Sequence, residues 1–166
     1  MAYEIERKFL IKKLPVDTFI KMGAEVKEIE QSFLLSSEEF PVRRIRKVVK
    51  GEEVRYYFTL KRPVGGEFSR EEIEQEITAN QYLGLQKERD FSLRTIVKTR
   101  YVIRGEIYEY EIDRFPFFAD FDLMEIELPS EKAEYSIPKE IEVIKEVTTD
   151  FRFTNLALAK EIPTII

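Results

Sequence analysis

Carboxylates and cations recur at every second residue in seven short stretches of this chain, where a β-strand of a globular protein would ordinarily bury apolar side chains. The stretches are Glu4-Ile5-Glu6-Arg7-Lys8, Arg44-Ile45-Arg46, Thr59-Leu60-Lys61, Arg70-Glu71-Glu72-Ile73-Glu74, Lys98-Thr99-Arg100, Glu111-Ile112-Asp113 and Glu125-Ile126-Glu127. Strand side chains alternate between faces, so each stretch makes one charged face and one largely apolar face. Taking one charged face per strand, the basic set is Lys8, Arg44, Arg46, Lys61, Arg70, Lys98 and Arg100. The acidic set is Glu4, Glu6, Glu72, Glu74, Glu111, Asp113, Glu125 and Glu127. Arginine forks grip phosphate oxygens, and carboxylates are hard oxygen ligands for small divalent cations. Side by side, the two sets are what a metal-assisted polyphosphate site requires.

Composition narrows the chemistry further. The chain has no histidine, which removes imidazole as a ligand, a general base or a triad member, and no cysteine, which removes thiolate chemistry and disulfides. Carboxylate and carbonyl oxygens remain, and these suit Mg²⁺ or Mn²⁺. The formal net charge of −5 argues against non-specific nucleic-acid binding while leaving room for a local basic cavity. At 166 residues, 43% of them hydrophobic and 13% aromatic, the chain reads as one folded domain over residues 1–166. The first residues enter a charged strand directly and no membrane-length apolar run follows, so a cytoplasmic protein with no membrane partner is expected.

The elements that must position these residues are mostly strands. Strands are expected at 2–11, 29–36, 42–49, 53–62, 67–78, 91–104, 106–115 and 121–129, with turns at Lys50-Gly51, Pro63–Gly66 and Gly105. Short helices are expected from Pro15 to Gly23, from an Asn80 cap to Leu85, after Ser130, and from Thr154 to Lys160. Eight strands at hairpin spacing with few helices predict a mainly β fold, an eight-stranded antiparallel closed barrel with the helices packed outside.

Pattern alone leaves two orientations open. The charged faces could point to solvent, with Ile5, Phe9, Ile45, Phe58, Leu60, Ile73, Ile77, Val97, Tyr101, Ile112, Ile126 and Leu128 filling the barrel. Alternatively they line a water-filled interior, where near balance of the two signs limits the desolvation cost. The apolar stripes of the helices favour the second arrangement, because they need an apolar outer wall to cover.

The same motifs, in chain order, resemble the CYTH superfamily, the triphosphate tunnel metalloenzymes. The resemblance begins at Glu4-Ile5-Glu6-Arg7-Lys8-Phe9-Leu10 and continues through Gln31-Ser32-Phe33-Leu34, the seven charged stretches and Tyr101. It ends in the tail Glu146-Val147-Thr148-Thr149-Asp150-Phe151-Arg152-Phe153-Thr154-Asn155-Leu156. It implies a barrel whose tunnel binds a triphosphate with a divalent metal, closest to the short stand-alone inorganic triphosphatases. Phe33 stands where many relatives carry tyrosine, and the histidine typical of the cyclase branch is missing.

With that resemblance, Glu4, Glu6, Asp113, Glu125 and Glu127 are the expected metal ligands. Lys8, Arg44, Arg46, Lys61, Arg70, Lys98 and Arg100 are the expected phosphate clamp, while Glu72, Glu74 and Glu111 are supporting or second-metal candidates. Glu6, Lys8, Asp113 and Glu127 are expected at the chemistry itself, with Mg²⁺ or Mn²⁺ as cofactor. The expected partner is a small polyanion, tripolyphosphate first. Thiamine triphosphate, a nucleotide, cyclase chemistry or simple polyphosphate binding are the alternatives, and a homodimer is left open. An organic triphosphate would need an aromatic pocket, for which Tyr57, Phe117, Phe118 and Phe121 are the candidates.

Overall fold

The described residues form β1 (Ala2–Lys12), β2 (Glu25–Phe33), β3 (Val42–Lys50), β4 (Glu53–Pro63), β5 (Ser69–Ile77), β6 (Ile96–Arg104), β7 (Glu109–Arg114), β8 (Phe121–Glu127) and β9 (Val143–Glu146), and the seven alternating stretches lie in all but β2 and β9. Three short helices accompany them: α1 (Val16–Lys21), α2 (Ala79–Leu85) and α3 (Asn155–Lys160). The structure, a computed structural model, describes residues 2–164; Met1, Ile165 and Ile166 of the expected domain lie outside the described residues. Eight strands close into an antiparallel barrel in the order β1-β5-β4-β3-β2-β6-β7-β8, and β9 is added to β1. No described helix is long and apolar enough to cross a membrane.

β1 closes the barrel by dividing its length among partners. Ala2–Ile5 pair with β5, Glu6–Lys12 pair with β8, and Phe9–Ile11 pair with β9. Residues directly opposite each other on neighbouring strands share a face. One such series runs round the barrel through Glu127, Glu6, Glu125, Glu111, Asp113, Arg100, Lys27, Gln31, Arg46, Tyr57, Thr59 and Glu74. That series is the inner face, so the charges point inward.

Their apolar neighbours therefore form the outer wall, and helices and loops bury it in two patches. Phe19 of α1 and the segment from Leu128 to Ile141 cover Phe9, Ile11, Tyr101, Ile103, Ile112, Met124 and Ile126. Tyr82 of α2 covers Ile45, Phe58 and Ile77. Fully burying a side chain of this size contributes about 1.5–3 kcal/mol. A third cluster lies inside: Leu10, Phe33, Ile96 and Leu123 continue the inner faces beyond the charged belt, where Phe153, Leu158 and Ala159 pack onto them. α3 thus lies across one end of the barrel, unlike α1 and α2 on its outside.

Several boundaries differ from expectation for local reasons. Gly23, at φ 80°, ends α1 and lets β2 start at Glu25 instead of Ile29. Residues 91–95 are not strand, because Ser92 N–H turns back onto the Asp90 carboxylate at 3.0 Å. β5 starts only at Ser69, since the amides of Glu67 and Phe68 bond the Glu131 carboxylate. β7 starts at Glu109, after a loop closed by Gly105 N–H to Tyr108 C=O. Thr78, not Asn80, caps α2 through a reciprocal capping box with Gln81. Ser130 begins a turn and no helix, and β9 has no counterpart among the expected strands.

Candidate active site

A cavity of about 290 Å³ occupies the charged part of the barrel. β2, β3, β4 and β6 give its cations Lys27, Arg44, Arg46, Lys61 and Arg100. β1, β5, β7 and β8 give its carboxylates Glu4, Glu6, Glu72, Glu74, Glu111, Glu125 and Glu127. A second cavity of about 300 Å³ opens between the β4–β5 turn and residues 147–156 and reaches Glu4, Glu6, Lys8, Lys61 and Arg70.

Most tunnel cations hold a tunnel carboxylate. Lys61 Nζ lies 3.0 Å from Glu4 and 3.5 Å from Glu72. Arg46 pairs with Glu74 at 3.0 Å, and Lys8 with Glu125 at 3.2 Å. Arg100 forks onto Asp113 at 2.7 and 2.9 Å and also pairs with Glu111. Arg44 differs: it is 7% exposed, and its Nε is buried without a partner among the described residues. Arg46 Nε and both amide atoms of Gln31 are likewise buried and unpartnered.

Crowding of like charges perturbs the acids. Burial, then Glu125 and Glu4, hold the Glu6 carboxyl well above the usual range. In Glu125 burial acts upward, but Lys8, Arg100 and Lys98 outweigh it and hold that carboxyl low. Glu6 and Glu125 share a hydrogen bond, so the two carboxyls titrate as a pair. Burial and the neighbouring Glu4 push Glu72 up to about 8, whereas Lys61 and Arg44, against burial, keep Glu4 low.

A carboxyl with a folded pKa above its unfolded value binds its proton more tightly when folded, so its stabilising contribution is lost as pH rises between the two. The metal-free protein should therefore become less stable between about pH 5 and 8, and Glu72→Gln, which imitates the protonated acid, should flatten that trend. Melting temperatures across this range test it; identical slopes would show that Glu72 is already ionised at pH 5.

The predicted site residues divide into three groups by position. Glu4, Glu6, Arg44, Arg46, Lys61, Glu72, Glu74, Arg100, Glu111, Glu125 and Glu127 line the tunnel cavity. Lys8 and Arg70 line the second one. Lys98 and Asp113, each 2% exposed, are sealed behind the wall, where both Asp113 oxygens are occupied by Lys98 and Arg100. Among the described residues no three carboxylates form a metal-binding group; most are drawn to a neighbouring cation instead. Lys27 and Asn155 also line the tunnel without having been expected there. Lys27 continues the alternation that β2 carries back to Glu25, whereas Asn155 stands in the tail motif of the resemblance, with no charge alternation to mark it. Of the aromatic candidates, Tyr57 faces the tunnel, while Phe117, Phe118 and Phe121 pack against the apolar cluster at the barrel end.

A closed antiparallel barrel lined by alternating carboxylates and cations defines the class of fold. The CYTH domain family model matches residues 2–152, and the chain belongs to that family. Among solved structures, the inorganic triphosphatase NE1496 is similar at 28% identity and TM-score 0.58, over 99% of both chains. A second structure of NE1496, described as a hypothetical protein, aligns at 30% identity and TM-score 0.56, over 96% of this chain and 99% of that one. A putative adenylate cyclase from Vibrio parahaemolyticus shares the fold at 15% identity and TM-score 0.51, over 78% and 79% of the two chains. No curated protein matches the chain.

Proposed function

We propose that this protein is a triphosphatase that hydrolyses inorganic tripolyphosphate in its tunnel with the help of Mg²⁺ or Mn²⁺. The observation that carries this reading is the interleaving of cations and carboxylates round one enclosed cavity. A pure polyanion receptor gains nothing from so many carboxylates, and a cation store gains nothing from Arg44, Arg46, Lys61 and Arg100. The similarity to NE1496, which bears the name inorganic triphosphatase, supports the same reading.

The donor set fits a hard divalent ion. Its ligands would be carboxylate oxygens, and the crowded acids Glu6 and Glu72 are the groups whose ionisation a bound dication would favour. Glu4, Glu6, Glu125 and Glu127 would hold it, and when bound it would neutralise developing phosphate charge and lower the pKa of water. The chain's own contribution is an exchange of partners. Arg46, Lys61 and Lys8 exchange their ion-pair contacts with Glu74, Glu4 and Glu125 for phosphate oxygens. Arg44, which pairs with no carboxylate among the described residues, needs no such exchange to grip the polyanion. Phosphoryl transfer needs this positioning and charge neutralisation more than a protein nucleophile.

A triphosphate carrying an organic group is the second reading. The cavity that joins the tunnel at Glu4, Glu6 and Lys61 has an apolar lining that includes Val64, Phe68 and Phe151, and this favours it. A phosphate-release screen over tripolyphosphate, thiamine triphosphate and ATP, with each metal in turn, separates the two readings. In the same assay, Arg46→Ala should raise KM about 10- to 100-fold by removing charged hydrogen bonds. Arg43→Ala should leave KM near the parent's, because Arg43 faces outward onto Leu35 C=O and Glu88. Equal effects of the two substitutions would contradict the assigned faces.

A further inference from the structure

Asn155, at the start of α3, lies in the wall of the tunnel cavity and of a narrow cavity that also touches Arg44 and Lys8. Its Oδ1 accepts a hydrogen bond from Lys98 Nζ at 3.2 Å. Lys98 is 2% exposed, and Nζ bonds Asp113 Oδ2 at 2.8 Å. The two ends of an asparagine amide are usually hard to tell apart, but an ammonium group only donates. The oxygen must therefore face Lys98, which turns Nδ2 and its two N–H groups away from it. Nδ2 has no hydrogen-bond partner among the described residues and is not among their sealed, unsatisfied atoms. Arg44 and Arg46, which line the same cavity, each keep an unpartnered Nε. The tail thus brings a neutral N–H donor to the wall of an anion cavity that these two arginines also line.

We infer that Asn155 is a substrate-contacting residue whose Nδ2 donates to a phosphoryl oxygen of the polyphosphate gripped by Arg44 and Arg46. The inference rests on the triphosphatase reading. The buried Lys98 acts here as an orienter: it fixes which end of the amide the substrate meets. An amide in this place recognises an unprotonated phosphoryl oxygen and gives nothing to a group that only donates.

Asn155→Asp separates contact from scaffolding. The aspartate keeps an oxygen for Lys98, and pairs with it more strongly, but exchanges the donor for an acceptor. Initial rates of phosphate release from tripolyphosphate with Mg²⁺ or Mn²⁺ should show KM raised at least 10-fold in Asn155→Asp, no less than in Asn155→Ala, with a melting temperature at or above the parent's. An Asn155→Asp protein with the parent's KM overturns the inference and leaves Asn155 as a support for Lys98. Should the aspartate variant fail to fold, Asn155→Ala is made in a Lys98→Met background. A further rise in KM supports direct contact, and no further rise overturns it. A parent protein that releases no phosphate from tripolyphosphate refutes the functional reading itself, which is a separate outcome.

Discussion

Glu6→Gln is expected to lower metal-dependent phosphate release by about 100-fold or more, the scale of losing a preorganised electrostatic element from a dry site. Glu6 stands opposite Glu127 in the register, lines both cavities and is hydrogen-bonded to Glu125. Because burial, Glu125 and Glu4 raise its carboxyl well above the usual range in the metal-free barrel, glutamine copies the neutral form that this environment favours. The variant should therefore fold and melt like the parent without metal, yet gain less of the thermal stability that Mg²⁺ or Mn²⁺ is expected to add to the parent. Undiminished turnover in Glu6→Gln would remove this residue, and the carboxylate cage built around it, from the mechanism.

Asp113→Ala is expected to act on stability before it acts on chemistry. Asp113 neutralises Lys98 and Arg100 at once, and its side chain and that of Lys98 are 2% and 1% exposed. Removing one partner from a buried ion pair leaves uncompensated charge and costs about 3–5 kcal/mol. Lys98 is already depressed to about 8 by burial, with Arg100 adding to the effect, so part of the penalty is relieved by losing its proton. Chemical denaturation should show the deficit with and without divalent metal. A variant with parental stability that has lost only its response to metal would instead identify Asp113 as a ligand, the role the family resemblance implies.

The barrel and the charged face of its strands are legible because charge alternation is a local signal that survives in seven of the barrel strands. Glu4-Ile5-Glu6-Arg7-Lys8 states both the period and the polarity of β1. Inward orientation was not legible from one strand, since either face of Arg44-Ile45-Arg46 could have been buried. It follows from Ile45 meeting Tyr82 of α2, a contact between distant parts of the chain. The depth of each charge was hidden as well. Lys98 and Arg100 are two residues apart on one strand face, yet Arg100 reaches the cavity while Lys98 is sealed by Asp113 and Asn155. β9 escaped notice because Val143–Glu146 are all exposed and show no alternation; the free edge of β1 specifies their pairing. The Thr78–Gln81 capping box, by contrast, was readable, and was obscured by the more conspicuous Asn80.

The shared ladder of β1 also bears on how the molecule comes into being. A strand at residues 2–12 finds its partners at 69–72, 121–127 and 143–146, so the ring has no closed precursor among its early hairpins. During synthesis the first carboxylates and Lys8 must wait until most of the polypeptide has left the ribosome, and such distant pairing makes assembly slow. Polyanion binding should accordingly arise in a single late step, with no weaker version present in shorter nascent chains.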